Sequence, residues 1–195
     1  VGKNLIVRKN RKEKVGLVIG HGSGHEPSMC GFVGPGLLDV DVPGDIFACA
    51  TGLRIYEGIK LADNGRGVVC LISNHEGDVL NASLAVKFAK AGGIDVKPIL
   101  LYDDVATAPK GREPERRGLA GLVFQVKMGG AAAEAGADLE TVTRIIEKSR
   151  DYTRTLAVAL SAPTHPVTGK MLFELGADEM EIGSGCHGEA GTYKG

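Results

Sequence analysis

The stretch Lys14–Pro27, KVGLVIGHGSGHEP, decides the reading of this chain. Val15–Ile19 is a short apolar run rich in β-branched residues, and it stops at Gly20-His21-Gly22-Ser23-Gly24-His25-Glu26-Pro27. A run this short, bounded by glycine, reads as a buried strand rather than a helix. The three glycines permit positive φ and let a ligand approach main-chain N–H groups. Pro27 suits the first position of a following helix. Strand, glycine turn and helix in that order place His25 at a strand's carboxyl end, where ligands of open α/β sheets bind.

Working outward, the pattern predicts strands over Asn4–Arg8, Asp45–Ala50, Gly67–Ile72, Val96–Tyr102, Leu156–Ala162 and Met180–Ile182. It predicts helices over 27–37, 52–63, Val79–Ala91, Leu119–Ala135 and Leu139–Asp151. Strand and helix alternate, which argues for an α/β domain. The expected core is a mainly parallel or mixed central sheet with helices on both faces.

Composition narrows the function. Apolar residues make up 43% and charged residues 24% of 195, enough for one well-filled domain. A net charge of −1 and the absence of Trp disfavour nucleic acid and anionic membranes as partners. Glycine, at 29 residues, is about twice the usual ~7% and gathers at the ends of apolar runs, which implies tight junctions. Cys30, Cys49, Cys70 and Cys186 lack C-x-x-C spacing, so reduced thiols and a cytoplasmic location are expected. No signal peptide or long apolar span is evident, and both ends of the chain are abrupt.

Three polar loops follow apolar runs and carry His25, Asp78 and His187. Alone, His25 or His187 is as well explained as a backbone-bonding histidine and Asp78 as a helix cap. Their coincidence raises the functional reading. Gly20-x-Gly22-x-Gly24 has His25 where a dinucleotide loop has its third glycine, and no P-loop spacing occurs. No spacing pre-orients His25, Glu26, His75, Asp78 and His187 as metal ligands, so no metal is assigned. Ser23 is not in a hydrolase elbow. The charge run Arg112–Arg117 reads as a solvated loop, with an anion or partner contact as the alternative.

Six separated blocks now come into play: Gly22–Pro27; Gly77-Asp78-x-x-Asn81; Asp103–Ala106; Arg116–Gly121; Gly130–Glu134; and Glu179–Gly183 with His187-Gly188-Glu189. In this order they resemble the substrate-binding (K) subunit of the dihydroxyacetone kinases, over nearly the whole chain. The resemblance implies that His187 adds covalently to the ketone as a hemiaminal. It implies that Asp78 takes the proton of the attacking hydroxyl, with His25 assisting. It gives Gly22, Ser23 and Gly24 to the substrate hydroxyls, and it places Ser73 where the family has a substrate-contacting lysine.

The same resemblance implies that this chain binds no cofactor. A nucleotide-carrying L partner would supply the phosphoryl group, with ATP or ADP and Mg on that partner. A homodimer is expected. The chain reads as the first domain of a K-type subunit, over 1–195, lacking an N-terminal segment and the second domain. A ketose-binding regulatory paralogue and a kinase for a longer ketose such as erythrulose are the alternatives, because Ser73 departs from the family pattern. His21 replaces a usual glycine, and His165 lies in a loop normally apolar or hydroxylic; both are candidates for the same pocket. Cys186 replaces an aliphatic residue and reads as a small buried hydrophobe.

Overall fold

The computed structural model describes residues 4–195. Five strands form the main sheet: β1 (Ile6–Val7), β2 (Gly16–Ser23), β3 (Val40–Ile46), β4 (Val68–Ser73) and β5 (Val96–Leu101). Their spatial order is β1-β3-β2-β4-β5, with β1 antiparallel and the rest parallel. β2 connects to its neighbour on one side, while β4 connects to β5 on the other. The order therefore reverses between β2 and β4, and a crevice opens at their carboxyl ends.

Alternation along the strands builds a core on each face. Leu17 and Ile19 of β2, with Val69, Leu71, Ile99 and Leu101, pack against α3 (Leu122–Glu134) and α4 (Leu139–Tyr152). Val18, Val40, Val42, Val68 and Cys70 face α1 (Gly52–Ala62) and α2 (Glu76–Ala91). Each such fully buried aliphatic side chain contributes about 1.5–3 kcal/mol. Asp138 caps α4 by accepting the Thr141 amide at 2.8 Å. The sheet with helices on both faces is the architecture the alternation predicts.

Several boundaries differ from expectation. β2 runs on through the glycines to Ser23, and of the three only Gly24 has positive φ, at +102°. Gly20 and Gly22 instead answer close packing, since a Cβ would stand 2.5 Å from Ile55 or 2.8 Å from the Ala48 amide nitrogen. Residues 27–37 form turns with one 3₁₀ turn, Cys30–Phe32, not a helix. The break-prone Gly31, Gly34, Pro35 and Gly36 explain this. The strand expected at Asp45–Ala50 is β3, Val40–Ile46, with Pro43 inside it. Pro43 is tolerated because β1 pairs only with Val40 and Asp41. α2 starts at Glu76 rather than Val79, and α3 at Leu122 rather than Leu119.

Beyond α4 the chain leaves the main sheet. β6 (Val158–Ala159), β7 (Glu181–Ile182) and β8 (Tyr193–Lys194) form a small antiparallel sheet in the order β6-β7-β8. The long strand expected at Leu156–Ala162 shrinks to β6, and β8 lies outside every predicted element. Arg117 ties this sheet to the main body. Its Nε donates to Asp104 Oδ2 at 2.9 Å and its Nη2 to the Gly183 carbonyl at 2.8 Å. Arg116 is buried and donates to the Ala108 carbonyl at 2.8 Å. Part of the charge run is thus structural rather than solvated. No helix among the described residues is long and apolar enough to cross a membrane.

Candidate active site

A cleft of about 770 Å³ opens at the carboxyl ends of β2 and β4. His25 enters it from the loop after β2, Asp78 from the first turn of α2, and His187 from the loop after β7. Residues 162 positions apart meet there: His25 Nε2 and His187 Nε2 are 3.0 Å apart. Phe47 stacks on the His25 ring at 5.1 Å between centroids and presents its edge to His187 at 5.3 Å. Phe47 itself holds φ at +56°, and its amide donates to the Ser23 carbonyl at 2.8 Å. Both imidazoles are therefore oriented by an apolar wall.

His187 is also fixed from behind. Its Nδ1 lies 3.2 Å from Glu189 Oε1, and its backbone amide donates to Glu189 Oε2 at 2.9 Å. A carboxylate accepts only, so Nδ1 carries the proton and Nε2 presents its lone pair to the cleft. Desolvation lowers the pKa of His25, and the neighbouring His187 lowers it further. His25 is thus neutral at pH 7. Between the two Nε2 atoms one proton, carried by His25, suffices for the hydrogen bond.

Asp78 is buried, and desolvation raises its pKa above the ordinary carboxylate value. A hydrogen bond from Cys49 and the charges of His75, His21 and His187 oppose that rise. The result is a carboxylate moved toward the range useful for general-base work. His21 lines the cleft floor and pairs through Nε2 with Asp41 Oδ1 at 2.7 Å. His75 approaches His187 edge-on at 5.4 Å and lies 3.0 Å through Nε2 from the Gly118 carbonyl.

The remaining predicted site residues divide. Gly22 and Ser73 line the cleft, though the Ser73 hydroxyl donates to the Gly118 carbonyl at 2.9 Å. Ser23 and Gly24 are not among the lining residues. The Ser23 hydroxyl donates to the Gly44 carbonyl at 2.7 Å, and the Gly24 amide donates to the Glu26 carboxylate at 3.1 Å. His165 packs edge-on against Phe47, while its Nδ1 accepts the Val167 amide. Cys186 is exposed rather than buried. Phe47 and Cys49 were missed by sequence reasoning. Their only signal is position, just beyond the carboxyl end of a parallel strand.

Chemically, the cleft presents an imidazole lone pair, a proton-bearing imidazole beside it and a desolvated carboxylate. That set suits nucleophilic addition to a carbonyl followed by deprotonation of a neighbouring hydroxyl. Relatives share the chain's pattern. It is 48% identical over 191 residues, 97% of this chain and 58% of the relative, to PTS-dependent dihydroxyacetone kinase 1, dihydroxyacetone-binding subunit DhaK, of Listeria innocua. It is 41% identical over 191 residues, 98% of this chain and 33% of the relative, to D-erythrulose kinase of Mycolicibacterium smegmatis. Among solved structures, the dihydroxyacetone kinase operon co-activator Dha-DhaQ superposes with a TM-score of 0.88 at 33% identity, over 95% of this chain and 57% of that one. The chain spans about half the length, or less, of the relatives it matches. The Dak1 domain model matches residues 1–195, end to end, and the six blocks, the sheet and the cleft all lie within that match: the chain belongs to the Dak1 domain family.

Proposed function

We propose that this chain is the ketose-binding part of a phosphotransferase, which holds dihydroxyacetone or a related short ketose on His187 as a hemiaminal. The 3.0 Å approach of His25 Nε2 to His187 Nε2 carries the reading. The His187 Nε2 lone pair attacks the carbonyl carbon and forms the C–N bond. The C=O π pair moves to oxygen, which takes the His25 Nε2 proton as His25 Nδ1 takes up a proton from solvent, so that His25 stays neutral. The Nδ1–H of His187, now more acidic, is held by Glu189. Asp78 then accepts the proton of the terminal hydroxyl as that oxygen attacks phosphorus.

A covalent anchor suits a small ligand. The best tiny ligands gain only about 1.5 kcal/mol per heavy atom, and a C–N bond that requires a carbonyl excludes glycerol without a closely shaped pocket. It also holds the terminal hydroxyl in place for transfer. The phosphoryl donor is a nucleotide-carrying L partner, with ATP or ADP and Mg bound there. A cytoplasmic location and a homodimeric subunit go with the family resemblance.

Two observations favour neighbouring readings. Ser73 and the roughly 770 Å³ volume of the cleft suit a longer ketose, and one relative bears the name D-erythrulose kinase. The likeness to a co-activator favours a ketose sensor. Intact-mass measurement against a series of ketoses, followed by assay with an L partner, separates these. The enzyme reading expects an adduct of the ketose's full mass, since no water leaves, and turnover of the same ketose. A sensor gives the adduct and no turnover.

A further inference from the structure

Two groups of donor atoms overlap at the cleft mouth. His25, Cys186 and His187 offer ligand atoms within 4.8 Å of one another, and so do His75, His187 and Glu189. The spacing along the chain gave no hint of this, because the members come from three distant loops. The distances carry more than proximity. A tetrahedral zinc-type ion with bonds of about 2.0–2.1 Å to nitrogen and 2.3 Å to sulfur separates two nitrogens by roughly 3.4 Å and nitrogen from sulfur by roughly 3.6 Å. Here the facing nitrogens of His25 and His187 are 3.0 Å apart, and Cys186 Sγ lies 3.7 Å from His187 Nε2.

We infer that the cleft mouth is a binding site for a borderline-soft divalent transition ion such as Zn²⁺, held by His25, His187 and Cys186 with one position left open. The carboxylate of Glu189 behind His187 completes the pattern, since a ligating imidazole commonly donates its other N–H to a carboxylate. That contact leaves the Nε2 lone pair aimed at the ion. Phe47 stacked on His25 fixes the second ring. The donor set is nitrogen and sulfur, so it selects against Mg²⁺, which demands oxygen ligands.

Binding must expel protons. The Cys186 side chain reaches the surface, and a metal takes it as the thiolate. The thiol proton is released, while His25 must carry its proton on Nδ1. Affinity therefore rises with pH. One lone pair cannot bond both a metal and a ketone carbon. The ion is accordingly a competitor of the ketose and would shut the site while bound. This consequence rests on the proposed ketose chemistry; the ion site itself does not.

Cobalt(II) titration of the metal-free protein tests the site, because a thiolate ligand adds a charge-transfer band in the near ultraviolet. One equivalent with that band and tetrahedral d–d absorption is expected. Cys186→Ser should lose the thiolate band, while Cys30→Ser, outside the cleft lining, should keep it. Glu189→Gln should weaken zinc binding by about 10–100-fold in calorimetry. No saturable band, or a band that survives in Cys186→Ser, overturns the assignment. Saturating dihydroxyacetone should abolish the band; an adduct seen by mass together with an undiminished band refutes the shared lone pair. If no adduct forms, the ketose reading fails, and the cobalt band still decides the ion site.

Discussion

His21 and Asp41 form a buried pair across β2 and β3, Nε2 to Oδ1 at 2.7 Å, directly beneath the cleft. The other ring nitrogen lies 2.6 Å from the Gly22 carbonyl. Both partners can only accept, so both nitrogens carry protons and His21 is an imidazolium. Burial pulls its pKa down, but Asp41 and the Gly22 carbonyl outweigh it, and the pKa is raised above 6.5. Asp41 Oδ2 has no hydrogen-bond partner among the described residues. Removing the imidazole in His21→Ala therefore strands a buried carboxylate and should cost about 3–5 kcal/mol in urea unfolding.

The same pair sets a pH dependence. A group whose folded pKa is raised contributes its stability in full below the unfolded value and loses it as pH rises through the folded value. The wild-type urea midpoint should hence decline on the alkaline side of about 6.5. His21→Gln should flatten that decline. A wild-type midpoint that instead rises across this range would contradict an imidazolium at His21.

Catalysis should respond to the acid side. Asp78 is raised above the ordinary carboxylate value and His25 is lowered below 6.5, each chiefly by desolvation. At neutral pH the latter is neutral, and the proposed steps require the former to be anionic. The profile of kcat/KM for the full-length subunit with its L partner should be flat near pH 7 and fall toward acid. His25→Asn should remove one of the two titrations.

Asp78→Asn separates the two steps. The hemiaminal should persist in intact-mass measurements while phosphoryl transfer falls by about 10²–10⁴, the usual worth of a positioned base. Loss of the adduct together with turnover would instead place Asp78 in ketose capture.

Arg117 should matter at a distance. It bridges the fully buried Asp104 and the carbonyl of Gly183, four residues before His187. Arg117→Gln should cost about 1.5–3 kcal/mol of stability. It should also raise the ketose dissociation constant more than it lowers kcat, because it loosens the element that carries the nucleophile.

Much of this was legible in the chain. β2 and β4 stood out because their apolar runs are uninterrupted, and β5 despite Lys97 and Pro98. His25 and Asp78 stood out because each follows such a run, and His187 because it lies in a glycine turn after the short β7. β3 was misplaced because Pro43 and Gly44 break its pattern; Pro43 pairs with His21 of β2 on one side, and β1 does not reach it on the other. The 27–37 segment has helix-like apolar spacing, but its glycines and Pro35 cannot sustain one. Phe47 and Cys49 carried no signal beyond their position after a strand, and the convergence of Cys186 with His25 was invisible, since it depends on how the C-terminal sheet docks. No local pattern encodes that docking; Arg117 and Asp104 do, through long-range bonds.

The proposed function depends most on a bond from His187 Nε2 to the ketone carbon. Carbon-13 NMR of dihydroxyacetone labelled at C2, bound to the nitrogen-15-labelled protein, observes that bond directly. The C2 signal should leave the carbonyl region for that of a tetrahedral carbon, couple to an imidazole nitrogen and vanish in His187→Ala. A bound ligand whose C2 remains in the carbonyl region would contradict that bond.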